Sequence, residues 1–531
     1  RWWERPGAVA KILGAVGAVV TLVGVALLLA IAIAAGIFGP VPRVVSGALL
    51  AAALLAIAFQ VRRRSPSSAG AQALAATGLA AAYLDVLAVT ALYDFIPGAL
   101  GLVLAATLAV GTFLLARSWD SQLLAVLAAA PPALLAPAIT GFDSLATMSF
   151  VALLLVGSAF AHVDRDWPFL YLARVVPAGL VLLIGVAGIG PTPPVITVVT
   201  ATALGMLAAG TVEATRHLQY AATLAALGGA VPMVLAVGSM DSSRLPVAAA
   251  LAALFLVVAG FLSSDTAAAW MRRPEGPAGA VVGDPLERSL WVAALLTGTV
   301  LFIIASASLP TPADTGLVLA VASAAYLVVT VWRRSLPVGA MAVVLAAISA
   351  LIFAETVFST VSASALARIT TPMSIVHGAA LTALAVLGLV LSRSIADPLR
   401  RTQVTRVAGL LAFVCGSAVV VATGTLIGLE RGETRLGFFG GHAAATALWT
   451  ALAAVLVTVV ARRARDRVTY MRLGLALVAA AVAKLFLFDL SALGGLFRVV
   501  AFVITGLIVL AIGVAYSKVE EDPAAGPARA E

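Results

Sequence analysis

The chain has 531 residues, of which 62% are hydrophobic and only 11% are charged. A soluble globular protein has roughly 45–50% apolar and about 25% charged residues, so the composition excludes that class. Disordered and disulfide-rich proteins are excluded as well, because apolar residues dominate and Cys415 is the only cysteine. The composition predicts an all-α, polytopic integral membrane protein.

Apolar runs long enough to span the bilayer recur along the whole chain. A spanning helix needs about 20 predominantly apolar residues, and we count about eighteen such runs. They are continuous rather than alternating, which excludes a β-barrel. The predicted spans cover residues 8–38, 42–60, 70–92, 96–116, 122–140, 145–161, 169–188, 195–213, 217–238, 246–263, 289–309, 314–332, 338–358, 373–393, 406–428, 442–461, 469–488 and 493–516.

The predicted helices form a single integral membrane domain with an internal repeat. When residues 70–140 are aligned with 170–240, Leu124 and Pro132 fall on Leu224 and Pro232, which favours a four-helix repeat of about 100 residues. The alternative is chance similarity in a chain rich in Ala and Leu. The predicted parts are a helix pair (1–60), two four-helix repeats (70–263), eight C-terminal helices (289–516) and a disordered cytoplasmic tail (517–531).

The basic residues predict the orientation of the chain. The net charge is +9, and the arginines form short clusters between apolar runs, which is typical of cytoplasmic loops and of contact with anionic lipid headgroups rather than nucleic acid. With both termini in the cytoplasm, about 26 of the 33 Lys and Arg residues fall on the inner side. Arg174 is interpreted as an interface anchor. The Arg- and Ala-rich composition favours a bacterial inner-membrane protein, and the missing initial Met leads us to expect that the native chain begins upstream of Arg1.

The motifs of soluble enzymes are absent from the sequence. There is no Walker A loop, no strand-embedded G-x-G-x-x-G, no H-E-x-x-H and no cysteine pair. The four histidines, at positions 162, 217, 377 and 442, lack the spacing of a helical metal site. We therefore expect neither a metal site nor a cofactor.

Charged residues inside the predicted spans are the candidates for a functional site, because a charge in lipid is costly. Asp85 and Glu355 lie within predicted helices, and Lys484, Asp489 and Arg498 surround the turn between the last two spans. With cytoplasmic termini, all five fall in the outer half of the bilayer. The secondary candidates His377 and His442 lie near the same side.

Two interpretations of these charges remain open. In the first, they converge on an outward-facing polar cavity in which Lys484 and Arg498 bind a phosphate and the carboxylates bind sugar hydroxyls or protons. In the second, Lys484 and Arg498 extend toward the interface, Asp489 pairs with one of them, and the charges only fix helices together.

The C-terminal segment resembles a known family. Its sequence from residue 484 is Lys484-Leu-Phe-Leu-Phe-Asp489-Leu-Ser-Ala-Leu-Gly-Gly-Leu-Phe-Arg498-Val-Val-Ala-Phe. This stretch resembles the closing motif of the bacterial multi-pass membrane proteins called domain of unknown function 2339, and 11–14 and 78–83 are also similar to that family. The resemblance implies a many-helix inner-membrane protein without an established activity.

Three functions fit the sequence. The first is transport or flipping of a lipid or lipid-linked cell-envelope precursor, favoured by the repeats and the outer-half charges. The second is a structural scaffold with a protein partner in the envelope. The third is a membrane-embedded transferase with Glu355 or Asp489 as general base; it is disfavoured because the predicted outer loops are short, so we expect a protein that is not an enzyme.

Overall fold

The computed structural model describes residues 39–64, 69–162, 165, 167–214, 219–241, 244–264, 289–460 and 467–484. Within these ranges all regular secondary structure is helical. The chain divides into two compact units, Arg1–Ala305 and Ser306–Glu531.

The described part of the first unit contains ten α-helices. The helices are α1 (Pro40–Arg64), α2 (Ala69–Leu87), α3 (Gly98–Trp119), α4 (Gln122–Thr140), α5 (Leu145–Gly157), α6 (Pro168–Ile189), α7 (Pro193–Ala214), α8 (Gln219–Gly238), α9 (Arg244–Leu262) and α10 (Ser289–Ser306). A π-helical turn, Ala88–Leu92, continues α2, and a 3-10 turn, Ser158–His162, continues α5.

The described part of the second unit contains seven α-helices. A π-helical turn, Leu456–Val460, continues the sixth of them. They are α11 (Pro312–Arg333), α12 (Leu336–Ser359), α13 (Ala363–Ile369), α14 (Pro372–Ser392), α15 (Pro398–Glu430), α16 (Thr434–Val455) and α17 (Arg467–Lys484).

The helical membrane bundle predicted from composition is confirmed. Twelve helices in the described ranges are long and apolar enough to cross a membrane, and three shorter apolar helices accompany them, Leu145–Phe160, Ala222–Gly238 and Leu290–Ser306. From 42–60 to 469–488, each predicted span coincides with a helix over the residues that the structure describes. The runs 8–38 and 493–516 and the tail 517–531 lie outside the described residues. The total of eighteen spans and the repeat remain predictions.

Small residues let the helices of the first unit approach closely. Ala58 of α1 and Ala71 and Ala75 of α2 are fully buried in one cluster. A Cβ atom on Gly78 of α2 would lie only 3.1 Å from the carbonyl oxygen of Ala51. In lipid, helix association depends on van der Waals packing rather than on the hydrophobic effect, so such small contacts hold the antiparallel pair together.

Arginines satisfy the carbonyls at the end of α3. Arg62 donates a hydrogen bond of 3.1 Å to the Trp119 carbonyl and stacks 5.3 Å from its ring. Arg165 forms an ion pair with Asp120. Cations at a helix C-terminus complement the helix dipole. Arg174, interpreted above as an interface anchor, is instead enclosed by protein: it is 1% exposed, with its guanidinium 4.8 Å from the Tyr171 ring.

Two helices of the second unit begin with reciprocal caps. The Thr311 hydroxyl accepts the Asp314 amide at 3.2 Å, while the Asp314 carboxylate accepts the Thr311 amide at 3.1 Å. Thr371 and Ser374 form the same arrangement. A proline follows each capping threonine, which suits the first helical position because proline lacks an amide hydrogen.

Several boundaries differ from the prediction where polar residues continue a helix. α15 begins at Pro398 rather than 406, so Arg400 and Arg401 lie on the helix and not in a loop. Its 33 residues give a length of about 50 Å, more than the roughly 30 Å of the hydrocarbon layer. α16 begins at Thr434 rather than 442, and the short helix α13 was not predicted.

Candidate functional site

Two glycine pairs face each other in the hairpin of α15 and α16. Gly424 and Gly428 lie one turn apart on α15, and Gly437 and Gly441 lie one turn apart on α16. A Cβ atom on Gly424 would lie 2.6 Å from the Cα of Gly441, and one on Gly428 would lie 2.7 Å from the Cα of Gly437. A normal carbon contact is about 3.5–4.0 Å. The helices therefore cross this closely because these positions lack side chains.

A tight turn joins the two helices. Gly432 has a φ of +73°, in the left-handed region that glycine adopts without steric cost. The Glu433 amide donates a 2.7 Å hydrogen bond to the Gly428 carbonyl, which closes the turn. Arg431 and Glu433 consequently lie on either side of one glycine at the end of the hairpin.

An open groove of about 440 Å³ lies along this hairpin. Ile427 on α15 is 43% exposed and Leu436 on α16 is 46% exposed, so each helix contributes an exposed apolar side chain to the groove. Both helices are candidate membrane spans, so we expect the groove to lie within the membrane. Its helical lining is Val419, Val420, Thr423, Gly424, Ile427 and Gly428 of α15 with Leu436, Gly437, Gly440, Gly441 and Ala444 of α16.

Two opposite charges line the groove at the hairpin turn, Arg431 and Glu433. Both are exposed, and within the described ranges neither side chain forms a hydrogen bond or an ion pair. Their neighbours Glu430 and Arg435 are also exposed but do not line the groove. The uncharged stretch of α15, residues 407–429, ends two residues before Arg431, so we expect the two charges near the level of the lipid headgroups.

Lys484, a predicted site residue, bonds to the neighbouring helix. Its ammonium group donates to the His442 carbonyl at 3.1 Å and to the Thr446 hydroxyl at 2.6 Å. It also lies 5.7 Å from the centre of the Trp449 ring, within reach of a cation–π interaction. These contacts attach Lys484 of α17 to the middle of α16.

His442 joins the same cluster to the end of α12. Its Nε2 lies 2.9 Å from the Thr360 carbonyl; a carbonyl only accepts, so Nε2 carries the proton and donates. The ring packs edge-on against Phe438 at 4.6 Å. Of the predicted site residues, Lys484 and His442 are the two that the described structure brings into contact.

His377 makes its contacts in a different place, between α11, α12 and α14. The Ser349 hydroxyl donates to the Gly316 carbonyl at 2.7 Å and lies 3.0 Å from Nε2 of His377. The hydroxyl proton is used in the first bond, so His377 donates to the Ser349 oxygen. Phe353 packs against the ring at 5.3 Å. A Cβ atom on Gly316 would overlap the imidazole, so the histidine fills the space above that glycine.

Asp85 lies in the first unit, on α2 against α1. A Cβ atom on Gly47 of α1 would lie 2.6 Å from its carboxylate oxygen. Asp85 is half-buried, and its side chain has no hydrogen bond or ion pair in the described structure. The π-helical turn Ala88–Leu92 follows Asp85, and Tyr93 comes directly after that turn. Arg43 of α1 donates a 3.2 Å hydrogen bond to the Tyr93 hydroxyl. Such turns occur often at functional sites.

Glu355 lies four residues before the end of α12 and is exposed. Asp489 and Arg498 lie outside the described residues. In the described part of the chain, no group of three or more His, Cys, Asp or Glu side chains is arranged to hold a metal ion. None of the predicted site residues in the described ranges lines the groove.

The groove was missed in the sequence although its signal is present there. The motifs Gly424-Thr-Leu-Ile-Gly428 and Gly437-Phe-Phe-Gly-Gly441 flank a charged turn, and glycines four residues apart mark close helix contacts in membranes. The predicted span 442–461 began after the second motif, which therefore fell in a predicted loop. Two such motifs on either side of one turn indicate a glycine crossing in a hairpin.

One family model matches the chain. It is described as "Predicted membrane protein (DUF2339)", and it matches residues 10–426 and 178–519. No curated protein and no solved structure matches the chain.

Proposed function

Because the chain belongs to the DUF2339 family of predicted membrane proteins, whose description names no activity, we propose a function from the groove. The protein binds a membrane lipid or a lipid-linked cell-envelope precursor and transports or flips it across the bacterial inner membrane. The groove of α15 and α16 carries this proposal: it is apolar along the helices and charged at the hairpin turn, as an amphiphilic ligand requires.

The groove differs in character from the polar cavity expected from the sequence. Its volume of about 440 Å³ falls in the range of small-molecule sites, about 300–1,000 Å³. With cytoplasmic termini, α15 runs outward, so the turn at Gly432 faces the outside of the cell. An acyl chain then lies along the helices while its headgroup lies beside Arg431 and Glu433.

Filling the groove tests the proposal. Ala444 is exposed and lines the groove, whereas Ala451, two turns along α16, is exposed and does not. Ala444→Phe takes the space of at least two methylenes of a bound chain, each worth about 0.8 kcal/mol, so lipid affinity should fall about tenfold. Ala451→Phe is the matched control.

The assay is the movement of a fluorescent phospholipid between the leaflets of liposomes containing the purified protein. We expect flipping above protein-free liposomes, slowed by Ala444→Phe and unchanged by Ala451→Phe. Flipping no faster than in empty liposomes, or equal rates for both variants, would contradict the proposal.

A structural role is the second candidate, because Lys484, His442 and His377 all make helix-to-helix hydrogen bonds. A scaffold needs such links and no ligand. This role is favoured if Ala444→Phe leaves the lipid composition of the cell envelope unchanged while Lys484→Met removes the protein from the membrane and alters the envelope.

A further inference from the structure

The hairpin turn places a cation and an anion together at one end of the apolar groove. We propose that the groove selects phospholipids with a primary ammonium in the headgroup, such as phosphatidylethanolamine. This inference rests on the proposed function and specifies its substrate class. Arg431 binds the phosphate and Glu433 binds the ammonium group.

The charge pattern of the turn supports this assignment. Arg431 and Glu433 are separated only by Gly432, and both line the groove. In the described structure they do not pair with each other, so both charges are available to a ligand. A headgroup that is zwitterionic complements both of them, whereas an anionic headgroup complements only the arginine.

Hydrogen bonding distinguishes a primary ammonium headgroup from the quaternary ammonium of choline. An arginine guanidinium binds a phosphate with two parallel N–H donors, and charge-assisted hydrogen bonds are stronger than neutral ones. A primary ammonium has three N–H donors for the carboxylate of Glu433. The quaternary ammonium of choline has none, so phosphatidylcholine keeps the charge attraction and loses the hydrogen bonds.

The position of the turn fits the headgroup layer. The uncharged, bilayer-length part of α15, residues 407–429, ends two residues before Arg431. Ile427 and Leu436, on opposite sides of the groove, are each nearly half exposed and lie about one turn below the charges. A phospholipid with its chain against these two side chains has its phosphate and ammonium at the height of Arg431 and Glu433.

The test is titration of delipidated, detergent-purified protein with phosphatidylethanolamine, phosphatidylcholine or phosphatidylglycerol of identical acyl chains, followed by native mass spectrometry. Binding lost in Ala444→Phe is assigned to the groove. For that binding we expect phosphatidylethanolamine to have a Kd at least about fivefold lower than the other two lipids. Glu433→Gln should abolish this preference, and Arg431→Gln should weaken all three.

The neighbouring charges provide matched controls. Glu430→Gln and Arg435→Gln change the same charges outside the groove and should leave the three affinities unchanged. Equal groove binding of all three lipids would overturn the headgroup selection and leave the proposed lipid binding intact. If Ala444→Phe reduces the binding of none of the three lipids, both the headgroup selection and the proposed lipid binding are overturned. The groove is then filled by protein, either a second copy or another part of the chain.

Discussion

The close crossing of α15 and α16 predicts a large cost for the smallest possible substitution. In Gly424→Ala the added Cβ would lie 2.6 Å from the Gly441 Cα and 2.7 Å from the Gly437 carbonyl oxygen. These are backbone atoms that no rotamer change can move, so the helices must separate by about 1 Å to restore normal contacts. Overpacking costs up to about 3 kcal/mol, and the higher helix propensity of alanine returns about 1 kcal/mol. We expect a net destabilisation of about 2 kcal/mol.

The matched control is Gly409→Ala on the same helix. Its added Cβ would meet only the Leu389 side chain at 3.9 Å, an ordinary contact, so the substitution should be neutral or stabilise by up to about 1 kcal/mol. The two variants should therefore differ by about 2–3 kcal/mol in free energy of unfolding.

The measurement is reversible unfolding in mixed detergent micelles with increasing dodecyl sulfate, followed by tryptophan fluorescence. If Gly424→Ala is as stable as Gly409→Ala, the two helices do not cross at these glycines. The groove, whose shape depends on this crossing, would then not exist as described.

Three further predictions use the same unfolding measurement. Lys484→Met removes an ammonium with two hydrogen bonds to α16 and should lower the free energy of unfolding by at least about 1.5 kcal/mol. Arg472→Met, at an exposed position of α17, should lower it little. Equal effects of the two substitutions would refute the role of Lys484 in holding α17 against α16. Ser349→Ala breaks two buried hydrogen bonds and should cost about 2 kcal/mol, unlike Ser359→Ala at the end of α12; a neutral result would contradict the assigned contacts. Asp85→Asn should not destabilise the protein, because it removes a half-buried charge that has no bond to a described residue and is costly inside a span; a clear destabilisation would show that the carboxylate fixes a helix.

The helices could be predicted because length and hydrophobicity decide which segments enter a bilayer. Both properties are local, so each predicted span in the described ranges coincides with a helix. The errors at α15 and α16 occur where charged or glycine-rich segments continue a helix. Composition indicates a loop there, while the backbone hydrogen bonds extend past it.

The site was harder to predict because it depends on which helix faces meet. The charge of Lys484 inside a predicted span identifies it as a candidate, but its bonds to His442 and Thr446 depend on the position of α17 beside α16. Arg174 stands near a helix end in the sequence but is enclosed by protein. The groove arises where side chains are absent, and a search for charged residues cannot detect such a feature.

The most direct test of lipid binding is photo-crosslinking with a phospholipid that carries a diazirine in the middle of one acyl chain. After reconstitution, irradiation and digestion, mass spectrometry locates the labelled peptides. Our account predicts that labelling concentrates between Val419 and Ala444, the first and last residues of the groove lining. It also predicts that Ala444→Phe removes this labelling. Labelling spread evenly over the exposed helix faces of the protein would contradict it.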